Sequence, residues 1–125
     1  MTTVLNPTRA RKAELDPALL ELPQEERQVT ILLKPNSFSF YIDPLAKLIT
    51  PTGQESSLVA VQGARLYPQF TLTALTEHEW VMLVFEPLPA DCTQFDFIEP
   101  EREDCSPWIV RGIPRNDTDV YEVSI

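Results

Sequence analysis

Proline is the residue that most restricts how this chain can fold. Twelve prolines stand against three glycines in 125 residues. Proline is excluded from helix interiors and from the central ladders of a sheet, so long helices cannot form across most of the chain. The prolines also divide the sequence into segments about as long as a typical strand. Their spacing therefore predicts a strand-rich domain.

The segments after residue 28 carry strand patterns, since they are short, rich in β-branched and aromatic residues and bounded by turn residues. SFSFYI (37–42) alternates, which predicts Phe38 and Phe40 on one core-facing side, whereas the unbroken WVMLVF (80–85) predicts a strand covered on both sides at the centre of the sheet. The other predicted strands are VTILL (29–33), SLVAV (57–61), FTLTALT (70–76), FDFI (95–98), WIVRGI (108–113) and VYEVSI (120–125). About eight strands at roughly ten-residue spacing predict an all-β fold, either a sandwich or a small barrel. We take the immunoglobulin-like antiparallel β-sandwich as the prediction.

Residues 1–28 differ in texture from the β-sandwich domain predicted over 29–125. They are polar and mixed in charge, and Asp16 followed by Pro17 predicts the start of a short helix that ends at Pro23. We interpret the segment as an N-terminal arm that contacts a partner or the domain. Its predicted contact residues are a basic cluster and three leucines, namely Arg9, Arg11, Lys12, Leu15, Leu19 and Leu20.

Length and composition exclude several classes of protein. A chain of 125 residues is expected to form one domain around one core. No stretch is long and apolar enough for a membrane helix, so membrane insertion is not expected. The N-terminus has charges where a secretory signal needs apolar residues, so a cytoplasmic location is expected. Cys92 and Cys105 do not form a zinc or redox motif, and whether they pair stays open. Three scattered glycines cannot build a phosphate loop or a dinucleotide fingerprint.

The acidic residues are concentrated in one window of the sequence. Residues 77–104 contain nine acidic residues and a single basic one, Arg102, so this window carries −8 of the net charge of −9. Such a concentration repels nucleic-acid phosphates and attracts basic protein surfaces, so nucleic-acid binding is not expected. We predict a partner-binding acidic face built from Glu77, Glu79, Asp91, Glu99, Glu101, Glu103 and Asp104. The alternative is that these acids only promote solubility and protect strand edges.

No pattern in the sequence predicts catalysis, a cofactor or a metal site. The acids of 99–105 with Asp91 and Asp96 offer oxygen ligands for calcium, but the loop lacks the glycine that calcium loops use for their sharp turn. His78 is the only histidine, which excludes sites built on several histidines, and no serine lies in a nucleophile elbow. A small hydrolase that uses His78, Glu99 and Glu101 is the least favoured alternative. We predict that the protein is not an enzyme.

One long phrase carries a family resemblance. LVFEPLPADCTQFDFIEP (83–100), followed by Trp108 and Arg-Gly-Ile at 111–113, resembles a β-sandwich domain of bacterial extracytoplasmic proteins, notably from Bacteroidetes. The resemblance covers roughly two thirds of the chain, and it implies an accessory module and no catalytic residue set. It also implies scaffold roles for Gly112 and for Phe85, Pro87, Leu88, Pro89, Phe95, Phe97 and Ile98.

The sequence therefore predicts a non-catalytic interaction or accessory module that binds a protein partner through its acidic face or through an exposed strand edge. The alternative function is an acidic inhibitor or regulator that occupies a basic site on an enzyme. The two differ in salt dependence, because charge pairs are screened over about 8 to 10 Å and strand addition is not.

Overall fold

The computed structural model describes residues 22–72, 80–103 and 106–125, and within these ranges the protein is an all-β structure. The 3₁₀ turn Gln24–Glu26 lies just before the first strand. The strands are β1 (Val29–Lys34), β2 (Ser39–Phe40), β3 (Lys47–Ile49), β4 (Glu55–Gln62), β5 (Thr71–Leu72), β6 (Val81–Phe85), β7 (Gln94–Ile98), β8 (Ile109–Pro114) and β9 (Val120–Ser124). No helix of the described residues is long and apolar enough to cross a membrane.

Seven of these strands form one curled, mixed sheet in the order β8-β7-β3-β4-β6-β1-β9. Every neighbouring pair is antiparallel except β1 and β9, which run parallel. The curl brings the two ends of the sheet together. This is seen in the contact between the rings of Phe95 on β7 and Tyr121 on β9, whose centroids are 5.0 Å apart. β2 and β5 pair separately as a two-stranded ribbon.

The core fills the inner side of the curl. Period-2 alternation on β1 and β6 sends every second side chain inward, and the fully buried aromatic rings of Phe85 and Phe97 meet edge to face with 6.0 Å between centroids. The core residues are Val29, Ile31, Leu33, Phe40, Ile42, Ala46, Leu48, Val81, Leu83, Phe85, Leu88, Cys92, Phe95, Phe97, Ile113 and Tyr121. Cys92 is a buried free thiol.

The all-β prediction is confirmed, whereas its finer parts are not. The immunoglobulin-like sandwich and the N-terminal helical arm are not confirmed, and the predicted helix falls almost entirely on residues 1–21, outside the described ranges. The segment WVMLVF does not provide the central strand, because β4 holds the middle position and β6 lies beside it. β3 was not predicted at all.

Two of the predicted core assignments fail at the single-residue level. Phe40 is buried but Phe38 is 76% exposed, because the backbone bends at residues 37–38 and only Ser39–Phe40 pair as a strand. Ile98 is half-buried on β7. Gly112 has a φ of +69°, in the left-handed region that favours glycine, and the register of β7 and β8 shifts beside it.

Candidate functional site

The ribbon of β2 and β5 separates a buried side from an exposed side. Phe40 pairs with Thr71 in the register, and Phe40 turns inward to stack on Trp108 with 6.0 Å between ring centroids. Ser39 pairs with Leu72, so these two residues lie on the opposite side, together with the residues two positions away, Tyr41 and Phe70. The ribbon therefore displays one face to solvent.

Aromatic side chains continue this face away from the ribbon. The ring of Tyr41 meets Phe70 edge to face at 5.3 Å and the ring of Tyr67 at 4.9 Å between centroids. Tyr67 is held there because its backbone N–H donates to the carbonyl of Ile42. Tyr41 itself is buried, with 7% exposure, and it supports the exposed rings through these contacts. We call the surface made of Tyr67, Phe70, Leu72 and the guanidinium of Arg102 the ribbon face.

Arg102 lies at the end of the ribbon face. Its guanidinium is centred 4.5 Å from the middle of the Tyr67 ring, a cation–π contact. Its Nε and Nη2 donate to the two carboxylate oxygens of Asp43 at 2.8 and 2.9 Å. Asp43 is completely buried, whereas the Arg102 side chain keeps 27% of its exposure. The Arg102 guanidinium is thus held by the buried Asp43 carboxylate, and part of the side chain's surface remains accessible to solvent.

Asp43 stays ionised because of this pairing. Burial raises the pKa of Asp43, but the hydrogen bonds from Arg102 and from the backbone N–H of Leu45, with the positive charge of Arg102, outweigh it and lower the pKa. The Asp43 carboxylate is therefore a permanent negative charge that orients the guanidinium at neutral pH.

A second buried carboxylate supports Asp43 from the β7–β8 connection. Glu99 follows β7 and accepts hydrogen bonds from the backbone N–H of Trp108 at 3.0 Å and of Asp43 at 3.3 Å. Burial raises the pKa of Glu99, and the charge of Asp43 adds to the rise, although the hydrogen bonds and Arg102 act in the opposite direction. Glu99 therefore ties the loop that carries Arg102 to the loop that carries Asp43.

The surroundings of the ribbon face are unusually apolar for a surface. Five of the eight exposed large hydrophobic side chains among the described residues lie just before β2, on or just before β5, or on the turn after Asp43. They are Phe38 (76% exposed), Leu45 (60%), Phe70 (47%), Leu66 (43%) and Leu72 (41%). Contiguous exposed apolar groups rimmed by polar residues are typical of protein interaction sites.

The predicted acidic face is only partly assembled. Asp91, Glu101 and Glu103 are exposed, but Asp91 precedes β7 and the two glutamates follow it, so they lie at opposite ends of that strand. Glu99 is 4% exposed and turns its carboxylate to the interior. Glu77, Glu79 and Asp104 lie outside the described residues, as do His78 and all six predicted contact residues of the arm.

Two of the carboxylates considered for calcium, those of Asp96 and Glu99, are used by the protein itself. Asp96 accepts hydrogen bonds from the backbone N–H of Gly112 and from Arg111, and Glu99 accepts the two backbone bonds described above. Within the described residues no group of three or more histidine, cysteine, aspartate or glutamate side chains is arranged to hold a metal ion.

No local sequence pattern marks the pair of residues that organises the site. Asp43 and Arg102 are 59 residues apart in the chain, and each stands in an ordinary turn-like context. Asp-Pro at 43–44 indicated a turn, and Arg102 was notable only as the lone base among acids.

Comparisons of the chain with protein-family models, with curated proteins and with solved structures found no match. The geometry of the ribbon face is therefore the basis for any functional proposal.

Proposed function

We propose that this protein is a non-catalytic interaction module and that its ribbon face binds apolar side chains of a protein partner. The observation that carries the proposal is the exposure of Phe70 and Leu72 on a surface that also holds Arg102, which lies over the ring of Tyr67 and is fixed by the buried Asp43. Aromatic residues and arginine are the side chains most enriched at the centres of protein interfaces. A surface that is fixed before binding loses little conformational entropy when the partner arrives.

The charges around the ribbon face favour a partner with basic residues. Glu101 and Glu103 are exposed and flank Arg102 in the chain, and the protein as a whole carries −9. We therefore propose an apolar contact at the centre with lysine or arginine side chains of the partner at the rim. This keeps part of the acidic face as a rim of the ribbon face.

A strand edge supports the proposal less well. The edge strands of the sheet are β8 and β9, and β8 carries a register shift, the left-handed Gly112 and a terminal Pro114. Bulges and prolines are devices that protect edges from strand addition.

We propose in addition that the curled sheet, which faces itself across one core, belongs to the immunoglobulin-like sandwich class.

The second candidate function is an acidic inhibitor or regulator that occupies a basic site on an enzyme. The net charge of −9 favours it. The two functions separate by salt, because binding by exposed charges weakens steeply when salt is added, whereas apolar contacts on the ribbon face persist.

A peptide selection tests the proposal without a known partner. A random peptide library is selected on the immobilised full-length protein, and the enriched peptides are measured against Phe70→Ser/Leu72→Ser. The matched control is Val59→Ser/Ile109→Ser, which removes two large apolar side chains, 52% and 46% exposed, from other surfaces.

We expect enriched peptides with aromatic or aliphatic residues next to lysine or arginine. A hot-spot side chain contributes about 2 kcal/mol or more, so Phe70→Ser/Leu72→Ser should weaken binding by roughly 30-fold or more even if only one of the two residues is a hot spot. The control should stay within about twofold of the parent. Peptides that bind both double variants and the parent equally would refute the ribbon face as the binding surface.

A further inference from the structure

The guanidinium of Arg102 has hydrogen-bond donors that the described residues leave unused. Asp43 accepts hydrogen bonds from Nε and Nη2, whereas the two N–H groups of Nη1 have no acceptor among the described residues. Nη1 is not buried, and the Arg102 side chain as a whole is 27% exposed. These two donors can therefore reach a hydrogen-bond acceptor of a ligand.

The charges around Arg102 favour an uncharged acceptor over a carboxylate. The ionised Asp43 already balances the charge of the guanidinium, and the exposed Glu101 and Glu103 flank Arg102 in the chain. A carboxylate of the ligand would be repelled by these groups and by the net charge of −9. A backbone carbonyl accepts the same N–H groups without a charge. The acceptor that suits Nη1 is thus a carbonyl of a peptide.

The conformation of the ligand follows from which peptide carbonyls are available. Helix carbonyls are used within the helix, except in its last turn. A β-strand ligand needs a backbone edge to pair with, and the ribbon face presents side chains instead. A polyproline II segment has no internal hydrogen bonds, so its carbonyls are available. Its prolines also lack the N–H group that would need an acceptor on an apolar surface.

The aromatic rings of the ribbon face suit the proline rings of such a segment. Tyr67 and Phe70 each contact the ring of Tyr41, at 4.9 and 5.3 Å between centroids, so the centroids of Tyr67 and Phe70 lie within about 10 Å of each other. One turn of polyproline II rises about 9 Å over three residues. The two rings can therefore contact prolines that are one turn apart.

The loop that carries both rings is held by its own hydrogen bonds. The backbone N–H of Arg65 donates to the hydroxyl of Thr71 at 2.8 Å, and the N–H of Gln69 donates to the carbonyl of Leu66 at 2.9 Å. A proline-rich segment is likewise extended before it binds. Little conformational entropy is lost when two such surfaces meet.

We propose that the ribbon face binds a proline-rich segment of its partner in the polyproline II conformation. A carbonyl of the segment accepts from Nη1 of Arg102, and lysine or arginine residues of the segment lie beside Glu101 and Glu103. This inference rests on the proposed function, to which it adds the class of the ligand.

A pair of synthetic peptides tests the class of the ligand. The proline probe is a fluorescently labelled peptide with the core Pro-Pro-Leu-Pro-Pro-Leu-Pro and lysine at both ends, and the alanine probe has alanine in place of every proline. Fluorescence anisotropy measures the affinity of both probes for the full-length protein. The proline probe is also measured with Arg102→Lys, with Phe70→Ser/Leu72→Ser and with the matched control Val59→Ser/Ile109→Ser.

We expect the parent to bind the proline probe at least about tenfold more tightly than the alanine probe. Arg102→Lys keeps a positive charge for Asp43 but has no Nη1, so it should weaken binding of the proline probe by about tenfold. Phe70→Ser/Leu72→Ser should weaken it by at least as much, and the control should bind as the parent does.

The comparison of the two probes uses the parent protein alone, so it stands whether or not a variant folds. Equal affinity for the two probes, or no binding of the proline probe, overturns the proposal. Unchanged affinity in Arg102→Lys overturns the hydrogen bond from Nη1. If the proline probe fails while library peptides still need Phe70 and Leu72, this inference is wrong and the proposed function stands. If the library peptides bind Phe70→Ser/Leu72→Ser as they bind the parent, both are wrong.

Discussion

Two buried aspartates lie near opposite ends of the β7–β8 hairpin, and each forms an ion pair with an arginine. The two pairs differ in how far the arginine side chain remains exposed to solvent. At one end, Arg115 donates to Asp119 through Nε and Nη2 and to the carbonyls of Pro89 and Cys92 through Nη1, and its side chain is 6% exposed. At the other end, Arg102 donates to Asp43 alone among the described residues and keeps 27% exposure over the ring of Tyr67.

The difference separates a structural pair from a recognition pair. We call the end with Arg115 and Asp119 the closed end and the end with Arg102 and Asp43 the open end. Asp119 also accepts a hydrogen bond from Tyr121 and one from Gln24, so the closed end joins the β8–β9 turn to the segment before β1. Burial raises the pKa of Tyr121, which keeps its hydroxyl a donor to Asp119. The open end instead holds an arginine beside exposed aromatic side chains, and this is why we assign binding to it.

The closed end should show the largest effect on stability. Asp119→Asn keeps a residue that tolerates the φ of +58° and removes only the charge, which leaves the buried guanidinium of Arg115 without its carboxylate partner. Breaking such a buried pair costs about 3–5 kcal/mol. Urea unfolding measures the loss, and the exposed neighbour Asp117→Asn serves as the control with a change near zero. Equal stability of the two variants would remove the structural role of Asp119.

The open end should show a smaller loss of stability and a loss of binding. Asp43→Asn removes the buried partner of an arginine that water still reaches, and we expect a cost of about 1.5–3 kcal/mol. Because Arg102 is no longer oriented, affinity for the selected peptides should fall, whereas Asp119→Asn should retain it in the folded fraction. The exposed Asp91→Asn is the control for both measurements. If Asp43→Asn binds as well as the parent, Arg102 takes no part in recognition.

Glu99 and Asp43 should make folding stability depend weakly on pH, and their two contributions have opposite signs. The raised pKa of Glu99 stabilises the folded state most when Glu99 is protonated, and this contribution is lost as pH rises through its folded pKa. The lowered pKa of Asp43 stabilises the fold above the usual aspartate range and is lost as pH falls below it. Thermal midpoints should therefore rise by a few degrees between neutral and mildly acidic pH and fall below about pH 4.

Glu99→Gln serves as the comparison for this pH profile. It removes the titrating group, so the rise between neutral and mildly acidic pH should be smaller than in the parent. The general relief of charge repulsion on acidification remains in both proteins. Identical profiles of the two proteins would show that Glu99 does not titrate as described.

The exposed side of the ribbon face should show the smallest effect on stability. Phe70→Ser/Leu72→Ser changes two side chains that are 47% and 41% exposed. Surface substitutions usually alter the free energy of unfolding by no more than about 0.5 kcal/mol each, so we expect a loss of about 1 kcal/mol or less. Urea unfolding checks this value. A loss of several kcal/mol would mean that the two residues belong to the packed structure rather than to a free surface.

The sequence predicted the strands whose pattern is local. β1, β6, β7 and β9 follow apolar alternation or apolar runs that a single segment displays. β3 has three residues, too few for a period to appear. The curl of the sheet and the parallel pairing of β1 with β9 depend on which distant strands meet, and a segment does not record its partner.

The candidate site could not be predicted from the sequence for the same reason. Asp43 and Arg102 meet only because the turn before β3 and the loop after β7 fold to one place. Glu99 was predicted on the acidic face because it lies in the acid-rich window 77–104. Glutamates are rarely buried, but the carboxylate of Glu99 is buried because it accepts hydrogen bonds from two backbone N–H groups. The ribbon face was likewise hidden, because only Ser39–Phe40 of the predicted strand 37–42 pairs with β5.

The most direct test of the difference between the two ends is a map of backbone amide shifts in the full-length protein as a selected peptide is added. Our account predicts shifts concentrated at residues 39–43, 65–72 and 99–103, with residues 115–119 unchanged. Shifts centred on residues 115–119, or along β8 from Ile109 to Pro114, would contradict the assignment of binding to the ribbon face.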